Sequence, residues 1–348
     1  MGFKRFDPED LVISTDSVTA TVWSNNSPSL GTFSTDSTQV SSNTGQFYYH
    51  VYQTTPTLAE AAIQFDIAYC DSTGGGGKYY NPNVPGITPT RTNYGQYRSL
   101  ILGDENAKFV FGNQEAEYFY ALSIERARYK EKLLPGSIEL HLETAAGSLS
   151  LIDDSSLTNT VTFTDAGRVY NMVSGSKTDG VYTVNNVNGW TTSAGSYGYF
   201  LPDISTILLN GPALNSSISN GGILLGTSRT SNTNTTNPQK LFNAISSSAA
   251  SVSDGSKNFK LNSEETLSSD FIFVRARNNE FNYSENPSYI SGSTGAVLFD
   301  SFIDNPTSYI TTVGLYNDNN ELLAVAKLSR PLPKDFTKEL LVRVKLDF

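Results

Sequence analysis

Cysteine is almost missing: Cys70 stands alone among 348 residues. No intramolecular disulfide framework is therefore available, and Cys70 reads as a small buried strand residue. Histidine is as scarce, with 2, so any catalytic triad has two possible bases, His50 and His141. Charge is also thin. Charged residues make up 17% and hydrophobic ones 38%, against roughly 25% and 45–50% in ordinary soluble domains. Lys and Arg number 24 against 34 Asp and Glu, a net charge of −10. An acidic balance disfavours phosphate neutralisation, which needs a basic patch. Apolar runs of about 18 residues are missing, so no segment reads as a membrane-spanning helix. The Ala, Leu, Glu, Lys and Arg dominance of helical bundles is missing too. A leader-like apolar region is not found near Met1, where Phe3-Lys-Arg-Phe-Asp-Pro-Glu-Asp10 turns acidic at once. The expectation is a chain made in a cytosol.

What fills the gap is Ser, Thr, Asn and Gly, together with 19 Tyr and 19 Phe. The aromatics suffice to build one or two cores. Short β-prone runs dominate, so the expected class is mainly β: antiparallel sandwich or barrel-like modules with long polar loops and few short helices. Four segments follow from composition. Residues 1–50 form an arm and first strands. Within them Ser24–Gly45 is polar, with Leu30 and Phe33 as isolated anchors, and should lie over another surface such as a partner subunit. Residues 51–144 are a first β core. Leu58-Ala-Glu-Ala-Ala62 allows one helical turn, but Ile63, Phe65 and Ile67 alternate as a strand. Asp71–Gly77 reads as a flexible loop. Tyr97–Gly103, Phe109–Phe111 and Tyr118–Arg126 read as strands, with a turn at Pro135-Gly136. Residues 145–263 are a polar-rich β module or insertion, holding the best helix candidate. It starts at Asn237-Pro238 and has Leu241, Phe242 and Ile245 on one face. Residues 264–348 are a second β core. There Phe271–Arg277 alternates, Tyr309–Tyr316 and Glu321–Leu328 flank an Asn317–Asn320 hairpin turn, and Leu340–Phe348 alternates to the end.

Chemistry-bearing constellations are weak. No Gly-x-Ser-x-Gly elbow flanks a serine. Gly74–Gly77 before Lys78 lacks phosphate-loop spacing, since Tyr79 stands where Ser or Thr is needed. Glu139, His141 and Glu143 project from one strand face about 7 Å apart, and two carboxylates with an imidazole suit a divalent metal. Metal sites usually recruit ligands from several elements, so the cluster reads as a charged solvent face opposite Ile138, Leu140 and Leu142. Asp153-Asp154 is an adjacent pair whose members point apart, a poor glycosidase arrangement. Trp23 and Trp190 suit core or interface packing better than sugar stacking. No catalytic residue, cofactor or metal is expected.

The segment Tyr309-Ile-Thr-Thr-Val-Gly-Leu-Tyr-Asn-Asp-Asn-Asn-Glu-Leu-Leu-Ala-Val-Ala-Lys-Leu-Ser-Arg-Pro331 is the informative one. Its Val313-Gly314-Leu315-Tyr316 and Leu322-Leu323-Ala324-Val325-Ala326 resemble a hairpin of tail-fibre and baseplate proteins in contractile-tailed bacteriophages. Asn319-Asn320 stands where Gly is commoner. Phe3–Ser14, Tyr94–Asn106 and Arg275–Pro287 are similar to structural proteins of T-even-like marine cyanophages. The likeness covers both ends and the first β region, and leaves 145–263 uncovered. It implies a structural virion protein of the tail, baseplate or tail-fibre attachment, assembled in the host cytoplasm and located in the virion. The partners implied are other virion proteins and further copies of itself (a homo-oligomer), with no nucleic acid and no membrane. The alternatives are a neck or head-associated virion protein and a glycan-binding adhesin. Candidate interface residues are Phe3, Arg5 and Phe6 on the arm, Arg275 and Arg277 beside Phe271 and Phe273, and Tyr316, since aromatics and Arg are enriched at interfaces.

Overall fold

A computed structural model describes residues 4–36, 48–77, 83, 88–178, 180–185, 187–230, 236–250, 259–283 and 287–347. The protein is mainly β, with 44% strand and 15% helix, and its sheets are antiparallel with a curled half-barrel. Two compact units divide the chain: Val18–Glu265, and a smaller one from Met1–Ser17 with Thr266–Phe348.

The strands, in chain order, are β1 (Leu11–Thr21), β2 (Ser29–Leu30), β3 (Tyr48–Tyr52), β4 (Ile63–Asp71), β5 (Phe109–Phe111), β6 (Gln114–Ala116) and β7 (Tyr118–Ile124). Then come β8 (Lys132–Leu133), β9 (Glu139–Glu143), β10 (Ser148–Asp153), β11 (Thr162–Thr164), β12 (Gly167–Thr178), β13 (Val181–Val184), β14 (Gly198–Leu201) and β15 (Thr206–Asn210). The last are β16 (Phe259–Lys260), β17 (Asn262–Ala276), β18 (Ser308–Tyr316), β19 (Leu322–Lys334) and β20 (Leu340–Asp347). Among the described residues four α-helices join them: α1 (Pro89–Leu102), α2 (Gly211–Asn215), α3 (Thr236–Ala250) and α4 (Ser301–Asp304).

The larger unit is organised by one 12-stranded sheet with the path β2-β16-β9-β10-β12-β14-β15-β7-β4-β3. Strands from 145–263 lie between β9 and β7, so this sheet draws on both the first β region and the polar segment. Alternation sorts its side chains. Phe65, Ile67, Tyr120, Leu122, Ile207 and Leu209 face one core, where α3 supplies Leu241, Ala244 and Ile245. Cys70, Phe119, Ala121 and Leu208 face a second core on the opposite side, against Tyr94 and Ile101 of α1. Burial pushes the Cys70 thiol well up. The segment after β2 also reaches the far edge: Ser34 N donates to Tyr52 O at 2.9 Å, and Tyr52 N returns to Ser34 O at 2.7 Å. Residues 29–34 thereby touch both ends of the sheet path.

Several sequence expectations are corrected. Tyr97–Gly103 is not a strand but the second half of α1. Thr88 accepts from Arg91 N as N-cap, Pro89 opens the helix, and Gly103 closes it at φ 63°. Its buried Tyr94 and Ile101, with half-buried Tyr97, follow helical spacing across a window wider than 97–103. Asp71–Gly77 is not a flexible loop: Gly74–Gly77 are buried. A Cβ on Gly75 would stand 2.2 Å from Arg229 O, so only the missing side chain allows that approach. Leu30 and Phe33 anchor in the chain's own core rather than on a partner, while 37–47 lie outside the described residues. β10 and β14 were hidden by their Ser and Gly content. Helix α3 starts where Asn237-Pro238 predicts, with Leu241 and Ile245 buried and Phe242 half-buried.

Candidate assembly surface

The smaller unit is built from strands with apolar residues on both faces. It contains a sheet in the order β1-β17-β20 and a separate two-stranded hairpin, β18-β19. Residues of β17 and β20 pair from Ser269↔Asp347 to Ala276↔Leu340. The final strand is thus tied into a sheet, as its alternation predicts. The hairpin turns at Asn317–Asn320, where Asn317 Oδ1 accepts from Asn319 N at 3.0 Å and Glu321 N at 2.8 Å. Asn320 takes φ 62°, a conformation Asn tolerates better than most residues.

What this unit lacks is an interior. Among its described residues the buried apolar side chains are Ala276, Leu315 and Val344. Fixing a backbone costs roughly 1–2 kcal/mol per residue, and beyond these three the unit draws on half-buried side chains such as Phe271, Ile272, Phe273 and Val274. Meanwhile Ile13, Ile303, Tyr309, Leu323, Val325 and Leu341 are each more than half exposed. Exposed apolar side chains in this number suit an interaction surface.

Candidate residues from the sequence fall in this unit. Phe3 lies outside the described residues. Arg5 and Phe6 are exposed, and their neighbour Lys4 is fixed: its Nζ donates to Arg275 O at 2.7 Å and to Glu280 Oε2 at 3.0 Å. The backbone N–H of Arg277 first, and Lys4 second, hold the Glu280 carboxyl below its ordinary pKa. Arg275 is exposed on β17 beside half-buried Phe271 and Phe273. Arg277 is a correction: it stands one residue beyond the end of β17 and does not share the strand face. Tyr316 ends β18, partly exposed. Sequence reading missed the apolar residues of β1 and β19 as a surface, although their uninterrupted Leu11-Val12-Ile13 and Leu322-Leu323 runs signal it.

A buried lysine locks the hairpin. Lys334, at the end of β19, is fully buried. Its Nζ donates to Asn278 O at 3.0 Å, Asn282 Oδ1 at 2.7 Å and Asp335 O at 2.9 Å. Burial lowers its pKa. The three donors of an ammonium are thus all used. Lys334→Met strands these acceptors, and a loss of about 1–3 kcal/mol is expected. Thermal melting followed by near-ultraviolet circular dichroism measures it; an unchanged midpoint contradicts the lock.

Polar clusters in the larger unit serve the fold. The expected charged solvent face is corrected: Glu139 and His141 are buried. Lys260 Nζ donates to Glu139 Oε2 at 2.8 Å, and His141 Nδ1 stands 2.7 Å from Ser150 Oγ. Burial works to raise the Glu139 pKa, but His141 and Lys260 overcome it and hold it below the usual value. Among the described residues no group of three metal-ligating side chains converges. His50 Nδ1 lies 2.5 Å from Asp66 Oδ1, and Asp66 is also opposite Ser123. The Ser123 hydroxyl is 3.1 Å from Tyr97 Oη, whereas an acyl-transfer triad needs its base between carboxylate and hydroxyl. Asp153 and Asp154 are both buried; Asp153 accepts from Gly136 N and Asp154 from Asn171. Trp23 packs against Phe259 and Phe65 with centroids at 4.9 and 6.3 Å. No helix among the described residues is long and apolar enough to cross a membrane. Comparison with protein-family models, curated proteins and solved structures finds no match to this chain.

Proposed function

We propose that the chain is a structural component of a tailed-bacteriophage virion, in the tail, baseplate or tail-fibre attachment, and that it works by protein–protein assembly. The observation that carries this reading is the smaller unit: strands with three buried apolar side chains among the described residues and many exposed ones. Such a unit gains its missing interior when neighbours cover it. The resemblance of the β18–β19 hairpin to tail-fibre and baseplate proteins supplies the setting. Its partners would be other virion proteins and copies of itself. A second reading, a glycan-binding adhesin, draws on an open groove where Tyr289, Phe299, Phe302 and Tyr309 stand beside Asn305 and Thr307, since aromatic faces with amide and hydroxyl groups suit sugars.

Antibody raised against the purified chain is expected to decorate tails of the virions whose genome encodes it in negative-stain micrographs. Unlabelled particles, with the chain found only free in the infected-cell lysate, overturn the assembly reading. Binding on a glycan array by the purified chain, abolished by Phe302→Ala, selects the adhesin reading instead.

A further inference from the structure

Units with a small interior commonly carry a covalent staple. The smaller unit cannot use a disulfide, because the chain's one cysteine is Cys70. A group of buried polar residues converges in it instead. Lys334 and Asn282 are both buried, and their contact joins positions 52 residues apart. The surroundings fix that contact. Ser308 pairs with Lys334 across the hairpin, and its Oγ donates to Phe281 O, one residue before Asn282. Asn278 O accepts from Lys334 Nζ at 3.0 Å and from Asn282 Nδ2 at 2.7 Å. One carbonyl oxygen therefore holds an amine nitrogen and an amide nitrogen side by side. Nζ also donates to Asn282 Oδ1 at 2.7 Å. A C=O bond is about 1.23 Å long, so Cγ lies within about 4 Å of Nζ, close to reacting distance.

We propose that Lys334 and Asn282 condense into an intramolecular isopeptide bond. The ammonium first gives one proton to a carboxylate among Asp335, Glu280 and Glu339, which act on it electrostatically. The freed lone pair of Nζ attacks Asn282 Cγ. A proton then moves from Nζ to Nδ2, the Cγ–Nδ2 bond breaks, and ammonia leaves. It picks up the proton shed at the start and departs as ammonium. One C–N bond forms as another breaks, so no oxidant or reductant is needed. Burial lowers the Lys334 pKa against the pull of the three acids, which eases the first proton loss. The same burial keeps water from competing for Cγ. The finished link encloses the whole β18–β19 hairpin in one covalent loop and constrains the unfolded chain. It serves the smaller unit whether or not neighbours cover that unit's exposed side chains.

Intact-mass spectrometry of the purified full chain under denaturing conditions tests the bond. With the initiator methionine allowed for, wild type is expected about 17 Da below its sequence mass, the loss of one ammonia. Trypsin should release a branched peptide joining residues 278–327 to residues 328–338, since it cuts neither at the bonded Lys334 nor before Pro331. Lys334→Arg keeps the cation but brings a guanidinium that does not attack an amide, and Asn282→Ala removes the carbonyl. Both variants should show their full mass. A succinimide formed by an asparagine alone also sheds ammonia, but it would leave the Lys334→Arg mass low. A wild type at full mass, a deficit that survives Lys334→Arg, or a digest without the branched peptide each overturns the bond. Wild type is read directly, so a variant that fails to fold does not rescue a negative result. Mass and virion labelling are separate readouts, and either can fail without the other.

Discussion

Replacing Arg229 with alanine is expected to destabilise the larger unit by about 3–5 kcal/mol, the cost of leaving a buried charge without its partner. The Asp71 side chain is fully buried, and that of Arg229 is mostly covered. Nε donates to Asp71 Oδ2 at 2.7 Å and Nη2 to Oδ1 at 3.2 Å, a two-point grip that lysine cannot reproduce. Nη1 also reaches the Glu117 carboxylate, and the guanidinium lies 5.1 Å over the Tyr118 ring. Thr73 N and Oγ1 and Tyr69 Oη supply three more donors to Asp71. Arg229 O accepts from Gly76 N at 2.9 Å, which binds the glycine loop to this centre. Chemical denaturation of wild type and Arg229→Ala at pH 7 measures the difference, and a gap under about 1 kcal/mol would remove the buried pair from the account.

The same centre has a pH signature. Burial works to raise the Asp71 pKa, but Arg229 and Thr73 outweigh it and hold it below the ordinary carboxylate value. Its contribution is therefore complete above about pH 4, the unfolded-state range. It is lost as pH falls through the lower folded-state value. In Arg229→Ala the buried carboxyl loses its cation, its pKa rises, and protonation relieves it. The stability gap between the two proteins should narrow as pH drops from 7 toward 4. A gap that widens over that range contradicts the assignment.

Phe259→Ala is expected to cost about 3–5 kcal/mol as well, the usual range for emptying an aromatic core site. Its ring stands 4.9 Å from Trp23 and 5.5 Å from Phe65, and its backbone pairs with Leu30. Trp23 and Leu30 lie far upstream of Phe259, so one substitution loosens both the aromatic cluster and the strand at the end of the sheet path. Phe259→Leu, which keeps most of the volume, should lose less than half as much. Equal losses for both variants would mean that the backbone pairing, not the ring, carries the site. Tryptophan emission from Trp23 should shift to the red in the alanine variant.

The β class was legible in the sequence because alternation is a local signal. Phe271–Ala276, Leu340–Asp347 and the hairpin around Asn317–Asn320 needed no distant partner to be recognised. Helix α3 was legible for the same reason: a proline start and one apolar stripe. Helix α1 was lost because Gly95 and the aromatics made its second half look extended, and its N-cap Thr88 sits in a proline-rich stretch. Burial of Glu139 and His141 was not legible, since it depends on Lys260 and Ser150 arriving from other strands. Gly74–Gly77 misled for a similar reason: a glycine run signals freedom locally, but these glycines are there to let Arg229 O and Asn237 approach. The sparse interior of the smaller unit was harder to read: the unbroken Leu11-Val12-Ile13 and Leu322-Leu323 runs were its local signal, and a strand buried on both faces carries the same signal.

The join between β2 and β16 bears on how the chain is made. Leu30 leaves the ribosome early, yet its partner Phe259 follows about 230 residues later. At roughly 5–20 residues per second, synthesis holds that strand waiting for about ten to fifty seconds. The smaller unit waits longer still, since its first segment ends at Ser17 and its second begins at Thr266. The larger unit has all its residues once Glu265 is made, whereas the smaller cannot be finished until the segment from Thr266 has followed. A nascent chain stalled before Phe259 should therefore remain open to protease at both its beginning and its leading end, and the whole molecule should become resistant only after its final strand has emerged.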